Sequence, residues 1–191
     1  MSFNAKNQLL ELLQSLGSFA EEAVFSKMEA APSGGYRSKV VVTFPDGREM
    51  KGIGDGKDRT DADIAAAQQV LNIIRTDHPD LMIDWDELKE EAQAGDTLIK
   101  LGVYTALNLS DAATKSLLLQ ELESDSHLAR VFDRLQVEND PDLAIFGSNL
   151  GEKRKSTFIE ALLWKRYREK VLQPGARKAL HELLDLLSLD Q

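Results

Sequence analysis

Residues 34–75 constrain this chain more than any other stretch, because the hydrophobic period changes there from two to about 3.6. Val40, Val42 and Phe44 alternate with Lys39, Val41 and Thr43, the pattern of a strand with one buried face. Pro45-Asp46-Gly47 is a turn with a mechanism, since proline fixes φ and glycine accepts a positive one. Residues 48–52 read as the returning strand and Gly54-Asp55-Gly56 as a second turn. Asp58 or Thr60 then caps a helix whose Ala67, Val70, Leu71 and Ile74 fall at i, i+3, i+4 and i+7.

Upstream, residues 5–16 form a helical stripe of Leu9, Leu12, Leu13 and Leu16, with Gly17 as its stop. Residues 21–30 are the expected first strand. This helix, three strands and a helix resemble the double-stranded RNA-binding domain over residues 4–76. Gly54-Asp55-Gly56, Ala62, Ala65-Ala66-Ala67 and Val70-Leu71 carry the likeness. The resemblance implies an α-β-β-β-α domain over residues 1–76 that meets double-stranded or structured RNA. Its first helix and the loop at residues 31–36 would enter minor grooves, and the N-terminus of its second helix would clamp phosphates. The residues at those places are Tyr36, where the family commonly has histidine, and Lys57 and Arg59, which Asp58, Asp61 and Asp63 accompany.

Charge argues in the other direction. The formal net charge is −9, and residues 1–75 carry 9 basic and 10 acidic side chains. Neither half is basic, whereas nucleic-acid affinity comes largely from neutralising phosphates. The chain has no cysteine, which removes disulfides and thiolate chemistry. It has no signal-like N-terminus and no run of about 18 apolar residues, so a soluble, cytoplasmic protein without membrane contact is expected.

His78-Pro79 ends the helical pattern, residues 76–83 read as a linker, and residues 84–191 read as an all-α domain. Asp84 with Glu87 fits a capping box for a helix over 84–108. Gly95 and Gly102 inside it imply close packing or a break. Further helices are expected from Ser110, from Ser124, over 156–171 and from Pro174, with a loop over 140–151.

Three segments of this half are similar to the ribonuclease III domain over residues 85–172: Gly95 to Leu101, Ser124 to Arg130 and Lys155 to Leu162. That resemblance implies carboxylates on two helices holding Mg²⁺, which activates water and stabilises developing charge. Asp96 and Glu160 occupy matching positions and are the candidate catalytic and metal-binding residues. Lys89, Ala92, Ser126 and Thr157 stand where the family carries its other acidic residues. The domain order is also the reverse of the family's. The implied protein is therefore an α+β, non-cleaving RNA-binding or RNA-processing accessory protein. It needs no cofactor unless the ribonuclease site is active, when Mg²⁺ would be required. The resemblance also implies a homodimer through the helical domain, to which the leucines at 180–187 would contribute.

Lys153-Arg154-Lys155 and the basic residues at 165–168 are the basic clusters of the second half, and the first set is its candidate phosphate contact. No zincin pair, nucleotide-binding glycine loop or nucleophile elbow is present. Two alternatives stand beside the main reading. One is an active Mg²⁺-dependent, double-strand-specific endoribonuclease, and the other a protein-interaction module of the same folds without RNA.

Overall fold

A computed structural model describes residues 4–18, 22–27, 34–107, 111–173 and 175–188. The architecture is α+β, with seven α-helices and one three-stranded antiparallel sheet among the described residues. No described helix is long and apolar enough to cross a membrane. Two compact units divide the chain: residues 1–83 with 144–150, and residues 84–143 with 151–191.

In the first unit, α1 (Ala5–Ser15) is opened by Asn4, whose side chain accepts a bond from the Asn7 amide. The strands β1 (Ala23–Lys27), β2 (Tyr36–Thr43) and β3 (Glu49–Gly56) lie in sequential order, with Val40 opposite both Phe25 and Gly52. The rest of the expected first strand, with residues 31–33 of the following loop, lies outside the described residues. Gly47 takes a φ of 83° and donates its amide to the Phe44 carbonyl, closing the hairpin. Helix α2 (Arg59–Asp77) begins at Asp58, whose carboxylate accepts from the Asp61 amide.

Strand β3 is longer than the sequence pattern implied. Gly54-Asp55-Gly56 continues the strand instead of turning, and its glycines face inward while Lys51, Ile53 and Asp55 face outward. The cause is the approach of α2. A Cβ on Gly52 would stand 2.2 Å from the Ala66 carbonyl oxygen, one on Gly54 2.2 Å from the Ala66 amide, and one on Gly56 2.4 Å from the Ala62 amide. Three alternate glycines thus make a flat groove in which the small Ala62 and Ala66 let backbone meet backbone. Leu9, Leu13, Leu16, Val40, Val42, Phe44, Val70, Leu71 and Ile74 fill the core under that contact. Each such side chain contributes roughly 1.5–3 kcal/mol on burial.

Asp63 of α2 is 5% exposed in this core. Ser38 donates to it at 2.5 Å and the Lys6 ammonium at 2.7 Å, so one carboxylate joins α1, α2 and β2. Burial alone would raise its pKa, but the two donors outweigh it and hold the group below the usual carboxylate range. Residues 144–150 belong to this unit as well. The Gly147 amide donates to the Leu16 carbonyl at 2.8 Å and the Asn149 amide to the Gly17 carbonyl at 3.1 Å, while Phe146 and Leu150 are buried.

The second unit is helical: α3 (Trp85–Leu101), α4 (Ala112–Leu122), α5 (Asp125–Val137), α6 (Glu152–Val171) and α7 (Ala176–Leu187). Asp84 caps α3, Asp111 caps α4 and Ser124 caps α5. Ser110 and Pro174, expected helix starts, lie outside the described residues, and α6 begins four residues before the expected 156. The two glycines expected inside the helix over 84–108 act differently. At Gly95 a Cβ would lie 1.8 Å from the Glu160 carbonyl oxygen, so α3 and α6 touch backbone to backbone. At Gly102 the α-helix passes into a π-helical turn, Gly102–Ala106, packed against α7. Leu180, Leu183, Leu184 and Leu187 are 0–8% exposed, so α7 buries its leucine stripe inside this unit and does not present it to a second copy.

Candidate functional site

The α3–α6 contact places the candidate catalytic pair. Because α3 and α6 meet at Gly95, Asp96 and Glu160 fall at the same crossing. Glu160 is half-buried, and its charged neighbours are Lys153, Asp96, Asp125 and Glu123. Burial, opposed by Lys153 and reinforced by the three carboxylates, pushes its pKa up to about 7.

The sequence reading missed two members of this group. Glu123 closes α4 and Asp125 opens α5, on either side of the Ser124 cap. Their signal was the Glu-Ser-Asp junction, which puts two carboxylates where one helix stops and the next starts. Burial first, and then the Asp96 carboxylate, raise the Glu123 pKa.

Lysines lie among these carboxylates. The Lys100 ammonium is 2.5 Å from Asp96 and 3.3 Å from Glu123, one turn along α3, and these carboxylates raise its pKa. Lys153 reaches Asp125 at 3.0 Å, where Ser156 also donates at 2.6 Å. The Ser156 and Lys153 donors hold Asp125 below its ordinary range. The four positions where the resemblance implies further acidic residues have other occupations. Ala92 is buried, Thr157 donates to the Lys153 carbonyl, Lys89 pairs with Asp86, and the Ser126 hydroxyl meets that of Ser124. Among the described residues, no three acidic or imidazole side chains are grouped closely enough to hold a metal ion. Lys100 already occupies one Asp96 oxygen, at 2.5 Å.

The second candidate is the end of the first unit where β2 starts and α2 begins. Sheet register sets Tyr36 opposite Gly56, beside Lys57 and the first turn of α2. Tyr36 is 46% exposed. Lys57 extends into solvent, 3.4 Å from Asp61, and Arg59 is exposed at the head of α2. The strand pairing therefore sets Tyr36 beside the segment that carries Lys57 and Arg59, although the resemblance assigns them separate contacts, a minor groove and the phosphates. The amides of the α2 N-terminus favour anions there, although Asp58 already accepts from one of them.

In the second unit the basic candidates are engaged internally. Lys153 pairs with Asp125, the Arg154 guanidinium lies 5.1 Å from the Trp85 ring centre, and Lys155 pairs with Asp133 at 2.7 Å. The Lys155 side chain is only 14% exposed. Lys165 and Arg166 are bound to Asp140 and Asp142. These cations have carboxylate or aromatic partners within the unit, which leaves little charge for a phosphate. No family model, curated protein or solved structure matches the chain.

Proposed function

We propose that this chain is a double-stranded RNA-binding accessory protein of RNA processing, with a ribonuclease-III-like helical unit that does not cleave. The observation that carries the RNA reading is the first unit's arrangement. Its α-β-β-β-α order, with α2 seated on three alternate glycines, gathers Tyr36, Lys57 and Arg59 at one end of the sheet. That combination suits a shape-reading contact with A-form RNA, in which few cations act together with groove contacts. The formal charge of −9 and the small number of cations on this face imply weak binding with a shallow salt dependence.

The non-cleaving part of the proposal rests on the α3–α6 crossing. Lys100 pairs with Asp96 and Glu123, and Lys153 with Asp125. An ammonium beside three of the four carboxylates repels a divalent cation and occupies oxygens that would coordinate it, and burial holds the fourth, Glu160, toward its neutral form. The alternative of an active Mg²⁺-dependent endoribonuclease draws on one observation, the charge influence of Asp96, Asp125 and Glu123 on the half-buried Glu160. A protein-interaction module without RNA draws on the acidic balance alone.

The test is binding of a dsRNA of about 20 base pairs, longer than the ~16 such a domain spans. It is run at low and moderate salt, with and without Mg²⁺. Salt-dependent binding with intact RNA supports the proposal. Cut RNA in Mg²⁺ overturns its non-cleaving part, and no binding at low salt overturns the RNA reading.

A further inference from the structure

Residues 144–150 lie in the connection from α5 to α6, yet they belong to the first unit, so the chain leaves the second unit at residue 144 and returns to it at 151. They dock where α1 ends. The Leu16 and Gly17 carbonyls follow the last turn of α1, beyond its internal hydrogen-bond ladder, and they accept the Gly147 and Asn149 amides. The fit is close from both sides. A Cβ on Gly147 would stand 2.4 Å from the Gly17 carbonyl oxygen, and one on Gly17 would stand 2.7 Å from the Leu150 nitrogen. Phe146 and Leu150 are 2% and 4% exposed, so the segment adds two large apolar side chains to the first unit. A Cβ on Gly147 would also meet the Pro45 ring at 3.3 Å. Pro45 follows β2, so the segment docks at the opposite end of that strand from Tyr36.

Both ends of the segment are fixed in the second unit. Before it, Arg166 of α6 holds Asp140 and Asp142 at 2.6 Å each, and Lys165 holds Asp142 at 2.7 Å. Leu143, the last residue on that side, is fully buried. After it, Gly151 caps α6. A short segment pinned at both ends has little conformational freedom left to lose when it docks.

From the paired backbone, the reciprocal glycine contacts and the two buried side chains, we infer that residues 144–150 are a strap through which the helical unit completes and stabilises the first unit, α1 above all. This gives the helical unit a task that needs no cleavage. Loosening its α5–α6 end releases the strap and uncovers the end of α1. The inference does not depend on the RNA reading, since the strap docks away from Tyr36.

The experiment follows amide hydrogen exchange of the full chain by NMR. In the wild type the Gly147 and Asn149 amides should be protected together with those of α1. Gly147→Ala and Phe146→Ala should each speed exchange across α1 by about tenfold or more, the least that overpacking or a core truncation implies. Exchange in α3 and α6 should stay as it was, and Ser148→Ala, at an exposed strap position, should change neither unit. Arg166→Met, which removes the anchor on Asp140 and Asp142, should also speed exchange in α1, with Arg166→Lys restoring part of the protection. The inference is overturned if the Gly147 and Asn149 amides exchange freely in the wild type. It is also overturned if either strap variant, or Arg166→Met, leaves α1 as protected as in the wild type.

Discussion

Glu160→Gln isolates the physics of the α3–α6 crossing. In the folded chain burial and three nearby carboxylates lift the Glu160 pKa from 4.5 to about 7. The folded state therefore holds this proton more tightly than the unfolded state does. That preference contributes stability which is fully present below about pH 4.5, fades as pH rises towards 7, and is absent above. A displacement of this size is worth about 3 kcal/mol unscreened, and about 1–2 kcal/mol for a half-buried group that water still screens. Glutamine keeps the shape and cannot ionise. The variant should therefore exceed the wild type by about 1–2 kcal/mol at pH 8 and converge with it near pH 4.5.

Urea unfolding followed by tryptophan fluorescence is the assay. Both tryptophans, Trp85 and Trp164, lie in the second unit, so the signal reports that unit alone. A variant no more stable than wild type at pH 8 would refute the argument, because Lys153 would then compensate the charge in full. Millimolar Mg²⁺ provides a second arm. If Mg²⁺ stabilises the wild type but not the variant, the carboxylates gather around a metal and the non-cleaving reading loses its support.

Three other perturbations follow from the packing and the charges. Gly95→Ala sets a Cβ 1.8 Å from the Glu160 carbonyl oxygen and should cost at least the 1–3 kcal/mol typical of overpacking; a change below 0.5 kcal/mol would show that α3 and α6 are not in backbone contact. Lys57→Glu with Arg59→Glu should weaken dsRNA binding and flatten its dependence on salt, whereas binding unaltered in both respects would remove that face from the interface. Lys155→Met should leave dsRNA affinity unchanged, since Asp133 already holds that cation, and a clear loss of affinity would return the second unit to the interface.

The local rules of the sequence carried much of the fold. Alternation at 40–44, the Pro-Asp-Gly turn, the stripe from Ala67 to Ile74 and the caps at Asp58, Asp84 and Ser124 are all encoded within a few residues, because strand pleat, helix period and capping are short-range effects. What they left open was decided at long range. Gly54-Asp55-Gly56 is a turn by composition, and it becomes strand because α2 lies against it. Gly95 and Gly102 look alike in the sequence, yet Gly95 admits the α6 backbone while Gly102 begins a π turn.

The candidate site divides in the same way. Asp96 and Glu160 were legible because each sits in a motif-like segment, but Glu123 and Asp125 were not, because only the folding of the α4–α5 junction onto α6 brings them near Glu160. The basic run at 153–155 stood out as a charge cluster, and tertiary structure gave each member a partner from α3 or α5: Trp85, Asp125 and Asp133. A sequence shows which charges exist. Which of them remain available is settled only when distant carboxylates and rings come within a few ångströms, where Coulomb attraction and desolvation act.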